Sequence, residues 1–308
     1  MKHFDMKDIK GVIPAMLTPF EENERVSPER TQGLVRHLMR NDIGGLYLTG
    51  STGEGFMMSI EERKAVVEAA VAEVAGRIPV IVHVGAISTC QSEELARHAM
   101  HVGADAISSV PPIYWRFTDD NIAGYYADLV QASGLPMIVY NVALAGNVSF
   151  DLILRLGRLE GVEGIKYTAT SHYDMFRIKE QLGEGFMVYS GSDEMAASGM
   201  MFGSDGLIGS TYNVLSDIFI SIFRAARAGE MQELARLQEA ANRIIFTMLR
   251  YDLMSVLKLS LRWMGVDVGP TRRPFTQYSV EDERSIREAF LPLKQELARY
   301  HVAFLESL

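Results

Sequence analysis

Eight times between residues 11 and 229, a short apolar run is followed by a stretch of helical period, and this alternation limits the available folds more than any other feature. The runs are Gly11–Leu17, Gly45–Leu48, Pro79–Val84, Ala104–Val110, Pro136–Tyr140, Val162–Lys166, Phe186–Tyr189 and Gly206–Ile208. Most are rich in Val and Ile and lack in/out polar alternation, as expected for parallel strands covered on both faces. Between them apolar groups recur one turn apart, as at Leu34, Val35, Leu38 and Met39. Ser27-Pro28 sets a capping hydroxyl before a proline at the first helical position. Ser59-Ile60-Glu61-Glu62 has capping-box spacing. Gly76, Gly103 and Gly134 stand where helices should stop.

Eight strand–helix units ending near Gly229, with no break in composition, predict an α/β fold, a closed (β/α)8 TIM barrel over residues 1–229. A doubly wound open sheet shares the alternation, but no Gly-x-Gly-x-x-Gly opens a helix. From Glu230 the strands stop. Glu230–Arg250, Leu253–Met264 and Ser279–Leu308 read as helices around a turn at Gly265–Pro274, and they lack a complete core of their own. Residues 230–308 are therefore expected to pack on the barrel as a C-terminal helical extension of one continuous domain.

Charge and cysteine usage narrow the function classes. The 308 residues carry 30 Lys+Arg against 39 Asp+Glu, a formal charge of −9, which argues against a surface for nucleic acid or anionic lipid. Cys90 is the one cysteine, so no internal disulfide forms and a reducing, cytoplasmic location is expected. The charged segment Met1 to Lys10 holds no run of signal-peptide length, and no stretch reaches the roughly 20 apolar residues of a membrane span.

In such a barrel the chemistry belongs at the carboxyl ends of the strands. Gly50-Ser51-Thr52-Gly53-Glu54 ends the second run and offers two hydroxyls and close backbone N–H groups to a carboxylate or phosphate; it equally suits a tight turn with a capping hydroxyl. Tyr140 ends the fifth run, where a phenol can move protons or simply plug the mouth. Lys166 ends the sixth, in Gly164-Ile165-Lys166-Tyr167-Thr168. Turned inward, its ammonium is desolvated, which favours the neutral amine and brings its pKa from about 10.4 towards 7–8. A neutral amine attacks a ketone to form a Schiff base, whose iminium is an electron sink. Turned outward, it pairs with an acid at the rim. Gly191-Ser192-Asp193-Glu194 ends the seventh run and suits the hydroxyls of a polyol or the N-terminus of a helix. Gly206-Leu207-Ile208-Gly209-Ser210-Thr211 adds a further small-residue contact or a simple turn. His98 and His101 lack a completing ligand and read as a solvated face; His83 reads as a satisfied core histidine and Cys90 as packing.

The motifs Gly50-Ser51-Thr52-Gly53-Glu54, Tyr140-Asn141, Gly164-Ile165-Lys166 and Gly206-x-x-Gly209-Ser210-Thr211-Tyr212-Asn213 occur in this order. Together they resemble the pyruvate-dependent class I aldolase family that contains N-acetylneuraminate lyase and dihydrodipicolinate synthase. The resemblance spans essentially the whole chain, extension included. It implies that Lys166 forms the Schiff base with a 2-keto acid, Ser51 and Thr52 hold its carboxylate, and Tyr140 shuttles the proton that makes or breaks the carbon–carbon bond. Tyr114 matches a tyrosine that in such enzymes often reaches across a dimer interface, and members are commonly homotetramers. No metal or diffusible cofactor is implied, since the iminium takes up the electrons.

Within the family, the arginine expected five residues after the Tyr-Asn tyrosine for a second carboxylate is Ala145 here, which disfavours the dihydrodipicolinate reaction. Gly191-Ser192-Asp193-Glu194 and Gly209–Asn213 match the sialic-acid-cleaving branch, whose resemblance implies that Thr168, Gly191, Asp193, Glu194 and Ser210 hold the sugar. Ala143, Ser171 and Ser192 depart from the usual Pro, Asp and Tyr. The implied reaction is cleavage of a sialic acid to pyruvate and an N-acetylhexosamine. The alternatives are a 2-keto-3-deoxy sugar acid aldolase, a dihydrodipicolinate synthase, or a catalytically silent keto-acid-binding regulator.

Overall fold

The computed structural model describes residues 4–146 and 148–308; the first three residues of the charged segment 1–10 lie outside that range. Among the described residues the apolar runs form eight parallel strands: β1 (Gly11–Pro14), β2 (Leu46–Leu48), β3 (Val80–His83), β4 (Ala106–Ser109), β5 (Met137–Val142), β6 (Val162–Thr168), β7 (Met187–Ser190) and β8 (Gly206–Gly209). Their order is β1-β8-β7-β6-β5-β4-β3-β2. The circle closes where Ala15 bridges Tyr47 in parallel and the Met16 N–H donates to the Tyr47 carbonyl at 2.8 Å. The expected (β/α)8 barrel is thus the observed fold.

Helices alternate with the strands: α1 (Pro28–Leu38), α2 (Ile60–Val74), α3 (Thr89–Val102), α4 (Asp119–Ser133), α5 (Phe150–Gly157), α6 (Tyr173–Leu182), α7 (Ala196–Met201) and α8 (Tyr212–Ala228). Ser27 accepts from the Arg30 N–H with Pro28 in the first turn, and Ser59 and Glu62 form the complete capping box. Gly103 and Gly134 end α3 and α4 in the left-handed region, but α2 stops one residue early, at Ala75 (φ 49°). Cys90 corrects the expectation of packing. Ser92, Leu95, Ala96 and Ala99 take the buried face of α3, and Cys90 is exposed.

Period-two alternation divides the strand residues between two cores. Ile13, Tyr47, Ile81, Ala106, Ile138, Tyr140, Met187, Tyr189 and Ile208 point into the barrel, while Val12, Leu46, Leu48, Val82, Ile107, Ile165 and Val188 pack under the helices. Met6 and Ile9 join the inner set from below, and the Tyr189 hydroxyl donates to the Ile9 carbonyl at 3.0 Å. The floor of the barrel is therefore filled with side chains, leaving the carboxyl-end mouth as its functional face.

Beyond Gly229 lie α9 (Met231–Met248), α10 (Leu253–Trp263), α11 (Val280–Glu288), α12 (Leu291–Glu296) and α13 (Ala303–Glu306). The single helix expected over Ser279–Leu308 is broken into pieces. Pro292 lacks an N–H and cannot continue α11, and His301 turns left-handed (φ 51°) before α13. At the break, Phe290 is fully buried against Trp263 and Phe304. Residues of these helices share one hydrophobic core with the outer faces of the strands. No helix among the described residues is long and apolar enough to cross a membrane.

Candidate active site

Ile165 and Tyr167 belong to the outer core, so parity turns Lys166 inward, where its residue is 4% exposed. Register sets Tyr140 and Tyr189 beside it on β5 and β7. Its Nζ lies 4.2 Å from the Tyr140 ring centroid and 4.6 Å from that of Tyr47. Both rings offer the electron-rich face that attracts a cation. No described carboxylate lies within ion-pair distance of this amine. The ring wall continues to His83, edge-on to Tyr140 at 6.2 Å and 90°. Burial pushes the Tyr47 phenol up and the His83 imidazolium down, with the nearby Arg63 and Lys166 cations adding to the second effect. Both rings are therefore uncharged at neutral pH. His83 is the satisfied core histidine expected, accepting from the Val110 N–H at 3.3 Å. Arg63 is also buried; it donates to the carbonyls of His83 and Gly85, and burial brings it down to about 10.

The loop after β2 rests on this wall. A Cβ at Gly50 would run into the Tyr47 ring, so glycine lets the backbone lie on it. Thr52 is buried, Ser51 half-buried, and the Thr52 hydroxyl meets that of Ser210 at 2.8 Å, joining the β2 and β8 loops. Glu54 points the other way. Its side chain is fully buried in an ion pair with Lys258 of α10 at 2.9 Å, and it accepts the Arg272 N–H at 2.8 Å. Burial brings the Lys258 ammonium down to about 8, against the upward pull of Glu54.

The β6–β8 side carries the remaining candidates. A Cβ at Gly191 would overlap the Thr168 hydroxyl and press on the Lys166 Cε, so the bare glycine keeps space open beside the amine. The Thr168 Oγ1 is buried without a hydrogen-bond partner. Asp193 is buried, and its Oδ2 accepts from both the N–H and the hydroxyl of Thr211, at 2.8 and 2.7 Å. Burial raises its carboxyl to about 6, although the Thr211 hydrogen bonds oppose that shift. Its helix-capping role falls on the start of α8, not on the turn it opens. Glu194 is half-buried at the rim, its carbonyl held by Asn242 of α9 at 3.0 Å.

Lys166 thus lies beside Tyr140, Gly191 and Thr168 at the mouth, and Thr52 meets Ser210 across the β2 and β8 loops. Tyr114 stands apart. It is 85% exposed, in the left-handed region (φ 80°), with its ring edge-on to Trp115. Ala145 lines an apolar cavity of about 220 Å³ with Ser51, Phe56, Ile113, Val142, Leu144 and Phe275, and no basic side chain contributes to it. Sequence reasoning missed Tyr47 and Lys258. Tyr47 was legible as an inward position in a strand of three, and Lys258 as a lone charge in the apolar stretch Val256-Leu257-Lys258-Leu259. Among the described residues no group of three or more His, Cys, Asp or Glu could hold a metal ion, and His98 pairs with Glu68 at 2.8 Å.

A model of the dihydrodipicolinate synthetase family matches residues 8–291. The chain is similar to an N-acetylneuraminate lyase of Rhizobium meliloti, 35% identical over 286 residues, 92% of this chain and 95% of that protein. An N-acetylneuraminate lyase of Salmonella paratyphi B is 37% identical over 297 residues, 95% of this chain and 97% of that one. Among solved structures, a catalytic lysine mutant of the Ruminococcus gnavus sialic acid aldolase matches with a TM-score of 0.91 at 30% identity, covering 96% of this chain and 99% of that chain.

Proposed function

The chain belongs to the dihydrodipicolinate synthetase family, and from that premise we propose that it is a Schiff-base aldolase cleaving N-acetylneuraminate, or a close sialic acid, to pyruvate and N-acetylmannosamine. One observation carries the reading. An amine at the end of β6 sits inside the barrel mouth, faced by two aromatic rings and free of any described carboxylate partner.

The amine of Lys166 adds to the C2 ketone, and the carbinolamine takes up a proton and loses water, giving an iminium at C2 beside the substrate carboxylate. Ser51 and Thr52 hold that carboxylate, the Thr52 hydroxyl being oriented by Ser210. Tyr140, assisted by the carboxylate, takes the proton of the C4 hydroxyl; the C3–C4 bond breaks and its electron pair passes to the iminium as an enamine. N-acetylmannosamine leaves as the aldehyde. The enamine is protonated at C3, and water releases pyruvate from Lys166. The unpartnered Thr168 hydroxyl, Gly191, Glu194 and the Asp193 turn offer the polar contacts for the sugar hydroxyls.

The dihydrodipicolinate reaction is disfavoured by the apolar cavity around Ala145, where a second substrate carboxylate would be desolvated unpaired. The finer reading makes the enzyme a cytoplasmic homotetramer, for which the exposed Tyr114–Trp115 pair supplies a contact surface. Borohydride reduction in the presence of pyruvate, followed by peptide mapping, tests the chemistry: labelling of the Lys166 peptide is expected, and an unlabelled protein at saturating pyruvate favours the silent binder. Pyruvate release from N-acetylneuraminate against 2-keto-3-deoxygluconate then tests the substrate.

A further inference from the structure

We propose that Lys258, acting through its buried ion pair with Glu54, is a positioning residue that sets the geometry of the Ser51–Thr52 cradle, so that the C-terminal extension governs how tightly the 2-keto acid is held. The inference rests on the reading of Ser51 and Thr52 as the carboxylate cradle and concerns residues that touch no substrate.

Lys258 reaches from α10 to the barrel with its side chain 2% exposed. Its ammonium donates to the Thr18 carbonyl at 2.7 Å and the Pro270 carbonyl at 2.8 Å, and lies 2.9 Å from Glu54 Oε1 as an ion pair. Glu54 in turn accepts the Arg272 N–H, and the Arg272 guanidinium donates to the Met57 carbonyl at 2.7 Å and to Glu62. The loop that carries Ser51 and Thr52 is therefore tied to the extension on its carboxyl side, at Glu54 and Met57.

The loop has no slack in which to absorb a shift. The Glu54 N–H donates to the Ser51 carbonyl and the Gly55 N–H to the Gly50 carbonyl, both at 3.0 Å. The Thr18 hydroxyl donates to the Gly53 carbonyl at 2.6 Å. A Cβ at Gly53 would press on the Met16 carbonyl, and one at Gly55 on the Thr49 carbonyl, so the coil is packed from both sides. Glu54 itself is left-handed (φ 54°, ψ 30°), a conformation that a non-glycine residue keeps only when its surroundings impose it. A buried carboxylate deprived of its cation must reach water or a new donor. With the coil this tight, such a movement displaces Thr52 and Ser51, two and three residues away. A pair that merely stabilised the fold would leave the cradle in place.

The test is a pyruvate titration of borohydride trapping at Lys166 in the full chain, for the wild type, Lys258→Met, Glu54→Gln and the double variant. Lys179→Met is the control, because it breaks another buried ion pair, with Asp205 at the amino end of β8. We expect each single variant to raise half-saturating pyruvate about tenfold while the labelled plateau is kept, and the double variant to be no worse than the poorer single one. Lys179→Met should lower the melting temperature without moving half-saturation. The double variant, neutral and nearly isosteric, serves if either single variant fails to fold. Half-saturation within about twofold of wild type in any folded variant of the pair, or an equal shift in Lys179→Met, overturns the inference. A wild type that traps no pyruvate overturns the aldolase reading itself and takes this inference with it.

Discussion

At the scale of single residues, the inward placement of Lys166 does most to define the molecule. A lysine at the end of an apolar run reads either way from sequence; alternate Ile165 and Tyr167 in the outer core settle its direction. Lys166→Ala should abolish pyruvate release, below about 0.1% of wild type, with melting temperature within a few degrees, as expected when a covalent nucleophile is lost. Substantial residual turnover would contradict its role. Asp193 has one oxygen, Oδ2, engaged by the N–H and hydroxyl of Thr211. Its folded value of about 6 lies above the ordinary 3.8, so the folded state binds this proton more tightly than the unfolded chain. Its contribution to stability is fully present below pH 3.8 and is lost as pH rises through 6. Urea unfolding at pH 5 and 7.5 should therefore show wild type losing about 1 kcal/mol relative to Asp193→Asn, which cannot ionise. A pH-independent difference between the two proteins would mean that this carboxyl does not titrate in that range.

At the scale of elements, local chemistry was a good guide wherever the cause was local. Ser27-Pro28 and the Ser59–Glu62 box begin helices because they satisfy orphan N–H groups within four residues. The same device recurs at Ser279, whose hydroxyl accepts the Asp282 N–H while Asp282 accepts the Ser279 N–H. Ser279→Ala should cost about 1 kcal/mol in denaturant unfolding. Since the side chains of α11 pair with Arg262, Trp263 and Ser307 and with no residue of the mouth, kcat/KM should stay unchanged; a fall in activity would show that α11 reaches the site. Local signals failed over 279–308, where Pro292 marked a break that the helical period concealed. They failed also at Cys90, because its helix face is chosen by what the helix packs on and not by its own polarity.

At the scale of the whole molecule, the extension and the barrel meet in polar contacts as well as apolar ones. Asn242 and Gln238 of α9 hold the carbonyls of Glu194 and Asp193, and Lys258 of α10 holds Glu54, so the mouth is braced from outside the ring of strands. Assembly is the remaining level. If Tyr114 and Trp115 seal a subunit contact, Tyr114→Ala should lower the sedimentation coefficient at micromolar protein and weaken turnover in parallel. An unchanged sedimentation profile would remove Tyr114 from the interface.

The order of strands and helices as far as Gly229, the barrel and the strand-end places of Lys166, Tyr140 and the Ser51–Thr52 turn were legible in the sequence, because side-chain period and turn chemistry act over a few residues. Tertiary structure alone decided that Tyr47 faces the Lys166 amine, that Thr52 meets Ser210, that Asp193 serves Thr211 and that Glu54 is owned by a lysine 204 positions later. Those contacts form between residues far apart in the chain, and only closing the barrel and burying their charges brings them within reach of one another.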